Sequence, residues 1–328
     1  MTDSEPDGTV VVRIATRASR LALWQAHHVA ELLRLSEPGV IVELVEVSTE
    51  GDRDRVRRLD AMGGTGVFTR EVQQAVLDGE ADLAVHSLKD LPTVAIDGLV
   101  LAGVPGRAES GDAVVVSQPV ASPEALDGGL ETIGVGARVG TGSPRRQAQI
   151  RHRRPDLEVA GIRGNVETRL RKLDEGEFDA VVLAVAGLDR LELSDRITAV
   201  LDPEIVLPAV GQGALGLECR DNDPATIGRL EAISDPTARR ATLAERAMLA
   251  RLRAGCHAPV GVRSGETDGR LWLHGVVLDP GGTQRVESRS ETEAGTGDAA
   301  ESLGVAVADE LLAAGAAELI SADGGTEK

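Results

Sequence analysis

Aromatic side chains are nearly missing from this chain of 328 residues, which has two Trp, two Phe and no Tyr. Packing must therefore rest on Val, Leu, Ile and Ala, and a nucleic-acid surface built on stacked bases is excluded as a leading class. Lysine is scarcer still, at Lys89, Lys172 and Lys328 alone, while Asp and Glu total 53 against 35 for Lys plus Arg. The net charge of −18 opposes nucleic acid and anionic membranes, so any anion site must be a local basic exception. An acidic, lysine-poor surface suits concentrated salt; drift in a GC-rich genome explains Arg over Lys, but explains the acidic excess less well. The two cysteines, Cys219 and Cys256, are too few for a disulfide framework and match no zinc spacing. The six histidines show no metal spacing either, and no metal ligand is assigned. No apolar run approaches a membrane span, and the first residues lack the basic and apolar regions of a secretion signal. The expectation is a cytoplasmic protein in a reducing compartment.

What is present is an alternation of short apolar strands with helical patterns, over a length that suits two or three domains. Val10 to Ile14 reads as a strand, followed by a helix capped by Ser19, with Leu23, Ala26, Ala30 and Leu33 on one face. Strands at 40–47 and 81–85 follow, with a glycine-containing charged loop at 50–65 and a helix at 68–77 between them. A second set has strands at 113–116, 132–136 and 180–185, with Ser143-Pro144 and Asn165 opening two Arg-rich helices. This order predicts parallel α/β sheets in two similar lobes, with ligands at the carboxyl ends of their strands. From Asp235-Pro236 a third, α+β unit is expected: a helix to Arg253, strands near 260 and at 271–278, and an Ala-rich helix to Ile320. The domain reading is 1–107 with 209–232, then 108–208, then 233–328. Gly211-Gln-Gly-Ala-Leu-Gly216 matches a dinucleotide fingerprint by letter only, because residues 217–224 read as a strand end and a loop, where a phosphate-binding turn must open a helix.

Six separated segments, taken together, carry more information than any one of them. They are Ala15 to Ala26, His86-Ser-Leu-Lys-Asp-Leu-Pro92, Gly140-Thr-Gly-Ser-Pro-Arg-Arg-Gln147, Ile162 to Leu170, Leu207 to Ala214, and Gly255-Cys-His-Ala-Pro-Val-Gly261. In this order they resemble the porphobilinogen deaminase (hydroxymethylbilane synthase) family from about residue 10 to 280. The resemblance implies two periplasmic-binding-protein-like lobes joined by a hinge, plus a small C-terminal α+β domain. It implies a transferase that condenses four porphobilinogen molecules head to tail with loss of ammonia. The product is a linear hydroxymethylbilane, passed on to a uroporphyrinogen-III synthase, and the enzyme is expected to be a monomer.

The residue roles also come from this resemblance. Cys256 is the attachment point of a dipyrromethane primer through a thioether, since a thiolate adds to the cation left when ammonia departs. Cys219, in an apolar run, reads as a small buried hydrophobe. Asp90 is the catalytic residue, expected as a buried carboxylate that protonates the leaving amine and faces the resulting cation. The growing chain carries acetate and propionate groups, which guanidinium forks meet with two hydrogen bonds. Arg17, Arg145, Arg146, Arg163, Arg169 and Arg190 take this role with Lys89, and Ser19, Gln25, Ser87, Ser143 and Gln212 give polar support. Arg151, Arg153 and Arg154 read as ordinary solvated arginines. Where many family members carry two cleft-facing lysines, this chain has Ala61 and Thr65, so Arg53, Arg55, Arg57 or Arg58 is expected to supply that charge. A non-catalytic solute-binding or ligand-sensing module with converging arginines is the competing class, and absence of covalent pigment would mark it.

Overall fold

A computed structural model describes residues 10–48, 69–117, 129–255 and 258–321. In chain order it begins with β1 (Val11–Arg17), α1 (Arg20–Ser36), β2 (Ile41–Val47), α2 (Arg70–Leu77), β3 (Leu83–Ser87) and β4 (Leu99–Gly103). Next come β5 (Asp112–Val116), β6 (Arg138–Gly140), α3 (Pro144–Arg153), β7 (Glu158–Ala160), α4 (Val166–Asp174), β8 (Ala180–Ala184), α5 (Val185–Arg190) and β9 (Ala199–Val200). After β10 (Leu215–Arg220) and α6 (Pro224–Ala232), the last part has α7 (Pro236–Arg251), β11 (Val260–Thr267), β12 (Arg270–Leu278), β13 (Arg285–Glu293), α8 (Gly297–Ala313) and α9 (Ala316–Ser321).

These elements form two compact units, residues 1–106 with 215–236, and 107–214 with 237–328. The first unit has a five-stranded sheet in the order β2-β1-β3-β10-β4. β1 runs parallel to β2 and β3, while β10 runs antiparallel to β3 and β4. In the second unit the order β7-β6-β8-β5-β9 repeats the same pattern, with β6 parallel to its neighbours and β5 antiparallel to β8 and β9. One strand arrangement built twice makes the two similar α/β lobes. The second unit also holds the antiparallel sheet β11-β12-β13, whose Leu271, Leu273 and Val277 pack with Met248 of α7 and Val307 and Leu311 of α8. Val276 and Leu278, on the opposite face of β12, pack with Ala148 of α3 and Leu207, which joins this small α+β domain to the second lobe.

The sheets are mixed rather than parallel throughout. β10 enters its sheet after the whole second lobe rather than through a helical crossover, so nothing requires it to run parallel. The strand expected at 132–136 is instead a short 3₁₀ turn over Leu130–Thr132 and a bend leaving Val135 exposed, and the strand begins at Arg138. Two glycines in five residues favour a turn there over a strand. The C-terminal helix is two helices, interrupted at Gly315 (φ 98). The loop at 50–65, with Arg53, Arg55, Arg57, Arg58, Ala61 and Thr65, lies outside the described residues, as does the Cys256-His257 pair.

Candidate active site

In the first lobe, the carboxyl ends of β1 and β3 meet the start of α1. Ser19 caps α1, its hydroxyl accepting from the Ala22 amide at 3.3 Å. The buried Gln25, one turn further on, donates through Nε2 to Ser87 Oγ at 2.7 Å. β3 ends at Ser87 and a 3₁₀ turn over Leu88–Asp90 comes next, anchored by the buried Leu88. The outcome is a pocket of about 70 Å³ lined by Arg17, Ser19, Gln25, Ser87 and Asp90, together with Thr69, Val85 and His86. A cation, three small polar groups and a carboxylate thus share one concave site at strand ends. Asp90 is exposed rather than buried: the turn carries it out of the sheet, although the strand before it is buried. Lys89 beside it is half-buried.

The second lobe centres on a carboxylate that the motifs do not reveal. Asp112, at the start of β5, is completely buried. Its Oδ2 accepts from Arg145 Nη1 at 2.8 Å, and its Oδ1 accepts from Arg146 Nη2 at 2.7 Å and Gln212 Nε2 at 2.8 Å. Burial by itself would raise the Asp112 carboxyl, but the two guanidinium groups outweigh it and hold the group well below the ordinary carboxylate range. Arg145 and Arg146, only 3% and 5% exposed, also donate to the carbonyls of Leu207 and Val182. A signal in the sequence could have found it: an Asp opening a strand of buried valines must find cationic partners.

Above this cluster the turns that precede α3 and α4 run against each other. A Cβ at Gly142 would stand 2.7 Å from the Ile162 carbonyl oxygen. Ser143 caps α3, accepting from the Arg146 amide at 3.5 Å, and Asn165 caps α4, accepting from the Thr168 amide at 2.9 Å. Arg163 and Arg169 are half-buried near these helix starts, and Arg169 Nε donates to the Gly164 carbonyl at 2.8 Å. Arg190, at the end of α5, donates to the Gly213 carbonyl at 2.7 Å, and burial pushes its guanidinium down to about 10, with Asp189 opposing. Arg151 and Arg154 are not merely solvated: Arg151 donates to Pro280 and Val159 carbonyls, and Arg154 to those of Leu130 and Ile133.

A second buried carboxylate also lies outside the motifs. Glu245 of α7 is fully buried and accepts from Arg107 at 2.6 Å, from the Gly211 amide at 2.7 Å and from Ser264 at 2.5 Å. Arg107 Nε donates to the Gln212 carbonyl, and Gln212 Nε2 to the Ser110 carbonyl, so residues 107–112 and 211–213 form one hydrogen-bonded layer. Gln212 is 1% exposed within this layer, and β10 comes after it as a strand, which removes the dinucleotide reading.

The family model described as "Porphobilinogen deaminase, dipyromethane cofactor binding domain" matches residues 12–228, and that described as "Porphobilinogen deaminase, C-terminal domain" matches 240–313. The chain belongs to the porphobilinogen deaminase family. It is thereby a transferase of pyrrole polymerisation in tetrapyrrole synthesis, with porphobilinogen as the family substrate. Solved structures similar to it include the periplasmic VFT2 domain of Bordetella pertussis BvgS, at 19% identity over 68% of this chain and 86% of that one, with a TM-score of 0.40. Full-length BenM matches at 16% identity over 70% of this chain and 67% of that one (TM-score 0.41). An ancestral arginine-binding protein bound to arginine matches at 15% over 68% and 90% (TM-score 0.36). Likeness at this level carries no assignment.

The dipyrromethane group of the family is polyanionic, and the second lobe has donors to spare for it. Arg145 Nε and Arg146 Nε are buried and have no hydrogen-bond partner, and two helix N-termini with Arg163 and Arg169 stand beside them. The residues present fit such a group. Among the described residues no His, Cys, Asp and Glu cluster suits a metal, and no helix is long and apolar enough to cross a membrane.

Proposed function

We propose that this chain is a hydroxymethylbilane synthase that joins four porphobilinogen molecules head to tail on a primer attached to Cys256 and releases the linear tetrapyrrole by hydrolysis. The observation that carries this reading is the first-lobe pocket, where Arg17, Ser19, Gln25, Ser87 and Asp90 share one cavity in a chain matched by both family domains. When bound, the dipyrromethane group would supply the pyrrole carbon that accepts the first unit, and each later unit would join the terminal pyrrole of the growing chain. Asp90 donates the proton that leaves with ammonia, and its carboxylate then faces the positive charge left on the substrate pyrrole. It takes back the proton displaced from the accepting carbon when the new carbon–carbon bond forms, and is ready for the next cycle. Its exposure leaves it open to an incoming substrate.

Arg17 and Lys89 meet acetate and propionate groups in the first lobe, and Arg163, Arg169 and Arg190 do so in the second, supported by Ser143 and the capped helix starts. Arg145 and Arg146 offer their unused Nε–H groups from a cluster already fixed by Asp112 and Gln212. The two lobes, 1–107 with 209–232 and 108–208, would move about their connections as the chain grows, and the domain at 233–328 would present the primer. The chain leaves α7 through Arg253 in the left-handed region (φ 51). The protein works as a cytoplasmic monomer whose product goes to a uroporphyrinogen-III synthase, and its acidic surface suits concentrated salt.

The test is ammonia release from porphobilinogen by wild type and Asp90→Asn. The wild type frees one ammonia per pyrrole, and the variant loses about 10²-fold or more in kcat with its melting temperature unchanged. Wild-type protein that binds porphobilinogen without releasing ammonia would be a ligand-binding module instead.

A further inference from the structure

Arg145 and Arg146 open α3 as neighbours, yet the carboxylate of Asp112 is bound to both of them. Its Oδ2 takes Arg145 Nη1 at 2.8 Å, and its Oδ1 takes Arg146 Nη2 at 2.7 Å and Gln212 Nε2 at 2.8 Å. Two guanidinium groups and one carboxylate leave the cluster with a single net positive charge. If attraction of anions were all that the pair supplied, a buried carboxylate between them would work against it.

Asp112 also supplies direction. Each guanidinium is bonded through Nη to Asp112 and to one carbonyl, that of Leu207 for Arg145 at 2.6 Å and that of Val182 for Arg146 at 2.9 Å. Two acceptors on a planar group fix its plane. In both residues the Nε–H is left over, buried and without a hydrogen-bond partner. A buried donor left unmet calls for a ligand, an ion or a water, and here the same kind of donor stays open on two adjacent residues. Asp112 is itself pinned: it pairs with Ala184 of β8, and its carbonyl accepts from the Leu201 amide at 2.7 Å. Gln212, which holds Oδ1, donates also to the Ser110 and Gly111 carbonyls. Long side chains fixed before a ligand arrives need not be ordered by it, which strengthens binding.

We propose that Asp112 is a positioning residue for the primer: it holds the Nη ends of Arg145 and Arg146 so that their Nε–H groups stand ready for carboxylates, although it lowers the positive charge there. This rests on the reading of the second lobe as the seat of the primer. The test follows mass gain by the full chain, produced without porphobilinogen, against the concentration of porphobilinogen added. Wild type is compared with Asp112→Asn, which keeps shape and raises the net charge, and with Asp112→Glu, which keeps charge and displaces both guanidinium groups by a methylene. Each protein is assayed below its melting transition. Both variants need about tenfold more porphobilinogen, or beyond, for half-maximal loading, and the fraction of protein that finally loads is unchanged. If charge alone mattered, Asp112→Asn would load at the wild-type concentration or below it, and Asp112→Glu as the wild type does. A merely structural role would lower the loaded fraction and leave the concentration dependence alone. Either result overturns the proposal, and if Asp112→Asn does not fold, Asp112→Glu decides it. A wild type that gains no mass at any concentration overturns the primer reading itself, a failure distinct from variants that load like a wild type that does.

Discussion

Replacing Asp112 by Asn removes the charge that two buried guanidinium groups share. Arg145 keeps its bond to the Leu207 carbonyl and Arg146 its bond to that of Val182, but neither cation keeps a counter-charge within the cluster. Breaking a buried pair from one side costs about 3–5 kcal/mol, because the remaining charge stays desolvated. The Asn oxygen can still accept one bond, so about 3 kcal/mol is expected for Asp112→Asn and about 5 for Asp112→Ala. For a unit of this size, each kcal/mol is worth about 2–4 °C, so the Asn variant melts about 6–12 °C lower. Calorimetry on both variants measures this. The pH dependence has a definite sign. Asp112 is held below the ordinary carboxylate range, so its contribution is complete above about pH 4 and fades only as pH falls through the depressed native value. The gap between wild type and Asp112→Asn is therefore constant from neutral pH to about pH 4 and narrows below it. A loss under about 1 kcal/mol, or a gap that closes near neutral pH, would refute the reading of this cluster.

Two more outcomes rest on local geometry. At Gly213 (φ 85) a Cβ would stand 2.4 Å from the Ala108 carbonyl oxygen, so Gly213→Ala destabilises by about 1–3 kcal/mol in denaturant titration, while Gly228→Ala, in α6 with open space around it, does not. Burial pushes the Cys219 thiol up to about 12, so iodoacetamide at pH 8 leaves it unmodified in the folded protein and labels it after denaturation.

Local signals in the sequence carry over where one residue type answers one local need. Ser19, Ser143 and Asn165 each cap the helix expected of them, and the apolar runs at 40–47, 113–116 and 180–185 are strands. β13 is not legible, because Arg285–Glu293 is polar on both faces and has no apolar alternation to read. The repeat of one strand order in both lobes depends on β10 returning from far along the chain, which periodicity cannot express. Of the site, the pocket residues Arg17, Ser19, Gln25, Ser87 and Asp90 are identified by motifs, and the structure brings them together. Arg145, Arg146 and Gln212 are picked out by motifs, but the buried Asp112 they share is not, because a run of two arginines does not reveal its carboxylate partner 33 residues away.

The most direct measurement is the intact mass of the purified protein beside its Cys256→Ser variant. The wild type is predicted to exceed its sequence mass by two porphobilinogens less two ammonias, an increment absent from the variant. A wild-type mass equal to the sequence mass, and still unchanged after incubation with porphobilinogen, would contradict the account.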